Sequence, residues 1–304
     1  MTKKIFLVLF LLSIFTLSFG ESEIDKFYEL LNAEKYEDVE SFLGQWEAQS
    51  PTDPELYVAY FNYYISRATQ EQMYVESFLP ENYKGQYFQG QNENGDKLYI
   101  FSIIEYDEEL SAKAFEYIDR GLALNPTRLD MYFGKAQFNF MLEKYTAQLE
   151  VLKKTFELNE KYKNKWLWGR NVSINDVGVS FEMSIHDYIS KWLTSGNLEA
   201  LNCSKELALL FIEKFPNNSV AYNDAAVAFI YLGDLVSAKK YLEVGYKVDK
   251  SDMLVLANLA YVCKNLGEIE ESRNYYKILE QSSDPTYSNM AKQRLADFEW
   301  IPKN

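Results

Sequence analysis

A 34-residue period restricts this chain more than any other feature. Gly233-Asp234 returns as Gly267-Glu268, Leu232 as Leu266, Tyr222 as Leu256, Ala226 as Ala260, Phe229 as Cys263 and Leu242 as Tyr276, each 34 positions later. The same interval links Leu122-Ala123-Leu124-Asn125-Pro126 to Phe156-Glu157-Leu158-Asn159-Glu160, and Pro216 to Lys250. Self-similarity at this length marks stacked supersecondary units, none of which can bury its apolar face alone. Each residue type has a packing reason. Ala226 and Ala260 let two helices approach closely, Gly233 and Gly267 take the turn between them, Ala238 offers a small face, and Pro216 stops a helix before the next begins.

These residues resemble the tetratricopeptide repeat (TPR), whose pattern runs aromatic, Leu-small, aromatic, tight turn, Ala, aromatic and closing Pro. The resemblance implies an all-α fold, a right-handed superhelical solenoid of antiparallel helix hairpins. Extending the register gives six units at about 22–51, 54–126, 127–160, 164–216, 217–250 and 251–284, followed by a capping helix at 286–299. The match is strong over 217–284 and looser elsewhere: the third unit lacks the turn glycine, and the fourth follows an irregular segment containing Trp166, Trp168 and Asn171. The second unit is interrupted at 69–107, where Gly85, Gly90 and Asn94-Gly95-Asp96 precede the apolar run Leu98 to Ile104. That insert reads as a β-hairpin or as a lone strand and turn.

Residues 1–20 read as a signal peptide. Lys3-Lys4 leads into the apolar stretch Ile5 to Phe19, and Ser18-Phe19-Gly20 supplies small residues for cleavage before Glu21. The stretch falls short of the roughly 20 apolar residues that a bilayer span needs, so no membrane span is expected after cleavage. The predicted location is therefore exported, periplasmic or secreted, with the solenoid occupying 21–304. The formal charge is −14, and loss of residues 1–20, which carry two lysines and no acid, takes it to −16. Such a charge repels phosphate and disfavours nucleic acid as a partner, while leaving basic segments as plausible ligands. Cys203 and Cys263 are too few for a disulfide framework, and the register separates them by two helices, so both are expected as unpaired buried residues.

No catalytic site, metal site or cofactor is predicted. The single histidine, His186, is followed by Asp187, and neighbours on a helix point about 100° apart, which is no dyad. The acidic runs Asp107-Glu108-Glu109 and Glu268 to Glu271 fall at helix beginnings, where acids face the helix dipole favourably. No phosphate loop or nucleophile elbow is present.

The TPR resemblance implies instead a non-catalytic scaffold that holds a protein or peptide along the first helix of each hairpin. Carried over position by position, it assigns Phe133, Gln137, Phe140 and Met141 to the partner groove from the third unit and His186 from the fourth. Asn223, Val227, Ile230 and Tyr231 come from the fifth, and Asn258, Tyr261 and Asn265 from the sixth. The Lys and Asn set with which chaperone-binding relatives clamp a C-terminal carboxylate is not reproduced, since the matching sites hold Phe133, Gln137, Asn223 and Val227. An alternative reading makes the chain a structural subunit of an envelope assembly that contacts its partners through the 69–107 insert.

Overall fold

The computed structural model describes residues 22–81, 83 and 85–299; the signal peptide read at 1–20 lies outside them. Thirteen α-helices among the described residues follow one another as six pairs and a final single helix. They are α1 (Glu23–Asn32), α2 (Tyr36–Gln49), α3 (Pro54–Ala68), α4 (Glu108–Leu124), α5 (Leu129–Met141), α6 (Tyr145–Tyr162), α7 (Phe181–Ser195), α8 (Leu198–Lys214), α9 (Ser219–Tyr231), α10 (Leu235–Val248), α11 (Met253–Asn265), α12 (Ile269–Glu280) and α13 (Pro285–Glu299). None is long and apolar enough to cross a membrane. Each helix touches chiefly its neighbours in the stack: α9 packs on α7, α8, α10 and α11. This is the TPR-type arrangement, a solenoid in which the core is shared from one hairpin to the next.

Several helices begin where a short polar side chain takes an orphan amide. Asp53 accepts from the Glu55 N–H, Asp107 from Leu110, Asn197 from Glu199 and Ala200, and Asp252 from Leu254 and Val255. The tight turns inside hairpins use a left-handed residue. Gly233 and Gly267 sit there at φ 81° and 82°, and where glycine is missing Glu34 and Glu143 adopt φ 56° and 54°.

One packing device occurs in two distant hairpins. In the fifth pair, Gly245 of α10 lies so close to Tyr222 of α9 that an added Cβ would meet the Tyr222 Cβ at 2.9 Å; in the second pair Gly121 of α4 stands 2.6 Å from the Tyr57 Cβ in the same sense. Both tyrosines then donate a hydrogen bond to the proline carbonyl six residues earlier, Tyr57 to Pro51 at 2.7 Å and Tyr222 to Pro216 at 3.1 Å.

The insert is a three-stranded antiparallel sheet of β1 (Thr69–Glu76), β2 (Tyr87–Gln91) and β3 (Lys97–Tyr106), in the order β1-β3-β2. The β2–β3 hairpin turns at Gly95, φ 85°, with the Asn92 Oδ1 accepting from the Asn94 and Asp96 amides. The strand β1, which the sequence reading did not separate from the loop, runs directly out of α3 and pairs with β3 along its whole length. Between α6 and α7, residues 163–180 form a strap. It contains the short strands β4 (Leu167–Trp168) and β5 (Val172–Ser173) on either side of a 3-10 turn, Gly169–Asn171.

Candidate partner-binding face

The first helices of successive pairs present one face, and the two ends of that face differ. At the N-terminal ends of α1, α3 and α5 it is crossed by the strap. Leu167 bridges in parallel to Arg128, its N–H donating to the Thr127 carbonyl at 2.9 Å. Trp166 is 1% exposed and donates to Asn159 at 2.7 Å; Trp168 lies against the Phe133 ring, centroids 6.3 Å apart.

The strap is fastened by charge. Arg128, whose side chain is wholly buried, forks onto Asp130 (2.8 and 2.7 Å), meets Glu55 at 2.7 Å and reaches the Asn171 Oδ1 at 3.4 Å. Glu55 also accepts from the Arg170 amide at 2.6 Å, and the Arg170 guanidinium pairs with Asp25. Burial pushes the Glu55 carboxyl up, and Arg128 opposes the rise. Tyr28, pushed up to about 12 by burial and by the charges of Glu55 and Asp130, accepts from Asn62 at 3.1 Å beside this cluster.

Phe133, read from sequence as facing a partner, is therefore core: it is 2% exposed, held between Trp168 and Tyr188, whose ring lies 5.4 Å away and whose hydroxyl donates to the Phe133 carbonyl at 2.9 Å. Gln137 is half-buried and accepts from Lys191 at 3.2 Å. Phe140 is half-buried edge-on to Tyr145, and Met141 packs on the main core.

From α7 onward the face opens. His186 of α7, 26% exposed at its side chain, places Nδ1 2.9 and 3.0 Å from the two carboxylate oxygens of Asp224 on α9, which is 2% exposed. The hydrogen bond to Asp224 raises the His186 pKa against the effect of burial, and burial raises that of Asp224 against the pull of His186. Asn223, also read as partner-facing, is only 6% exposed and accepts from the Asn258 side chain of α11 at 2.7 Å. It joins α9 to α11 and leaves Asn258 half-buried. Val227 and Ile230 are half-buried against the cores on either side of α9. Tyr231 and Tyr261 are 58% and 45% exposed, and Asn265 is exposed with its amide donating to the Tyr261 carbonyl at 2.8 Å.

Sequence reasoning missed Asp224, Trp168, Arg170 and Arg128. Asp224 left a signal, a lone acid inside the apolar run Ala221 to Ile230. The Arg170 contacts carried none, since they join positions over a hundred residues apart.

Among the described residues one group could offer three metal-type ligands, Cys263, Glu268 and Glu271. The Lys239 ammonium already lies 2.7 Å from Glu268 and 2.8 Å from Glu271, supplying the positive charge an ion would bring. Cys203 and Cys263 are unpaired and buried, and burial pushes their thiols up to about 11 and about 12. Thiols held so far above neutral pH are inert.

No family model matches the chain, and no curated protein matches it. Solved structures do resemble it. A thermophilic TPR protein of Thermus thermophilus is 16% identical over 62% of this chain and 91% of its own, with a TM-score of 0.37. PilW, a widely conserved type IV pilus biogenesis factor, is 10% identical over 88% and 96%, TM-score 0.40. PilF of Pseudomonas aeruginosa is 11% identical over 89% and 96%, TM-score 0.34. With scores below 0.5, none of these likenesses bears on the partner or activity of this chain.

Proposed function

We propose that this protein is a non-catalytic scaffold, exported to the periplasm or beyond the cell, that holds a segment of another protein against the first-helix face of α7, α9 and α11. The observation that carries this reading is the contrast between the two ends of one face. At the N-terminal ends of α1, α3 and α5 the chain supplies its own occupant, the strap, which packs Trp168 on Phe133 and reaches Arg128 through Asn171. Over α9 and α11 the large side chains of Tyr231 and Tyr261 stand exposed beside half-buried His186, Asn258 and Val227. Exposed tyrosines among amide groups give a partner apolar area at low entropic cost, with hydrogen bonds available to its backbone. The surplus of acid over base, −14 in all, favours a segment with basic residues. Export rests on residues 1–20.

The test is to immobilise residues 21–304 beside a Tyr231→Ala, Tyr261→Ala variant, expose both to envelope extract of the source cells, and identify retained proteins by mass spectrometry. A protein held by the parent and lost by a variant of unchanged helicity is the expected result. Equal retention by both removes this face from the account.

A further inference from the structure

The insert offers a second surface, independent of the helical face. Its three strands leave the α3–α4 hairpin as an arm, closed at the base where the Asp107 N–H donates to the Ala68 carbonyl at 2.9 Å. Strand residues alternate between two faces, and the register assigns them. Phe101, Tyr74 and Tyr87 lie on one face. The chain covers Phe101 on it: the Tyr83 ring stands 5.1 Å from Phe101, its hydroxyl donates to the Ser102 and Gln86 carbonyls at 3.0 Å, and Phe101 is 4% exposed.

The opposite face is apolar and bare. Val75 and Phe88 both pair with Ile100, making one apolar row across all three strands; Met73 and Ile104 extend it along β1 and β3. Exposure is 57% for Val75, 78% for Phe88, 39% for Ile100, 69% for Met73 and 52% for Ile104. A contiguous patch of this kind is uncommon on a monomer and marks a contact surface. Its base is continuous with the core, because Tyr106, on the same face, packs against Phe138 of α5.

Charge selects the occupant. Between residues 69 and 107 the sequence holds seven acids and two lysines, and Glu71 is the one charged strand residue on the bare face. A second copy would bring the same surplus of acid, and an anionic lipid surface would be repelled likewise. We propose that the bare face of the arm docks an apolar protein surface whose rim carries Lys and Arg. Apolar contact supplies the attraction, and Glu71 with the arm's net surplus of acid sets orientation and disfavours acidic surfaces.

The probe is a pair of fluorescent strand-forming peptides with the same alternating Val, Ile and Phe positions, one flanked by Lys and the other by Glu. Binding is read by anisotropy against the whole protein and against Val75→Thr, Phe88→Thr, Ile100→Thr, which keeps every charge and a residue type that strands accept. The Lys peptide should bind at least ~10-fold more tightly than the Glu peptide and lose ~10-fold or more in the Thr variant, each decade being about 1.4 kcal/mol. The Tyr231→Ala, Tyr261→Ala variant should bind it unchanged, which separates this site from the helical face. Equal binding by parent and Thr variant would show bare charge attraction and overturn the proposal. So would a dimer in sedimentation that the Thr variant dissolves, or tighter binding to phosphatidylglycerol vesicles than to the Lys peptide.

Discussion

Arg128 shows what a single buried charge does in this protein. Its guanidinium is wholly buried and shared among Glu55, Asp130 and Asn171, so α3, α5 and the strap meet at one side chain. Arg128→Met leaves two carboxylates facing each other without a cation, and chemical denaturation should record a loss of about 3–5 kcal/mol. Phe133→Ala should likewise lower stability by about 3–5 kcal/mol, the range for a buried aromatic, with the strap loosened over it. A Phe133→Ala protein of parental stability would return that residue to a partner surface. His186 carries a pH dependence. The ring gains Asp224 on folding, so its folded pKa lies above the unfolded value of 6.5. The stabilisation is complete below that value and is lost as pH rises through the folded pKa. Parent protein should therefore be less stable at pH 8.5 than at pH 6, and His186→Gln should flatten that difference; denaturant midpoints at the two pH values decide it.

At the scale of elements, the hairpin turn is where sequence and geometry can be compared directly. The spacing located it at Gly233 and Gly267, and the third unit read as lacking it because Glu143 stands in the place of glycine. The backbone makes the same left-handed turn there, at φ 54°, and again at Glu34. A non-glycine residue in that conformation costs roughly 1–2 kcal/mol, partly offset by the greater freedom glycine has when unfolded. Glu143→Gly should thus raise stability by up to about 1 kcal/mol and Gly233→Glu should lower it by about 1 kcal/mol, both measurable from midpoint shifts. The helical-hairpin class was legible because Gly and Ala recur at a fixed interval for reasons local to each hairpin. The insert was legible only in part. Asn94-Gly95 announces its turn, whereas β1, with Gln, Glu, Gln and Met at successive positions, has no pattern of its own and is strand because β3 pairs with it.

At the scale of the whole molecule, one repeated architecture is used in three ways. The first-helix face is crossed by the strap at the N-terminal ends of α1, α3 and α5, exposed Tyr231 and Tyr261 stand on α9 and α11, and the arm leaves the stack with an apolar face uncovered. On α9 and α11, position in the repeat alone pointed to Tyr231, Tyr261 and Asn265, which are exposed. The strap was not legible in this way, since its residues Trp168 and Arg170 lie outside any repeat and meet α1, α3 and α5 only through the fold. Asn223 was misplaced for a related reason: the repeat gives a residue's helix and approximate face, while its bond to Asn258 depends on how two units are rotated against each other.

The central claim is that a partner lies along α7, α9 and α11. Site-specific photocrosslinking tests it most directly, with a benzophenone side chain placed singly at Tyr231, at Tyr261, and at Val236, which is 70% exposed on the outer helix α10. In source cells the first two positions should capture one common protein that Val236 does not. Capture from Val236 with none from Tyr231 or Tyr261 would contradict the account and move the contact to the outer face of the solenoid.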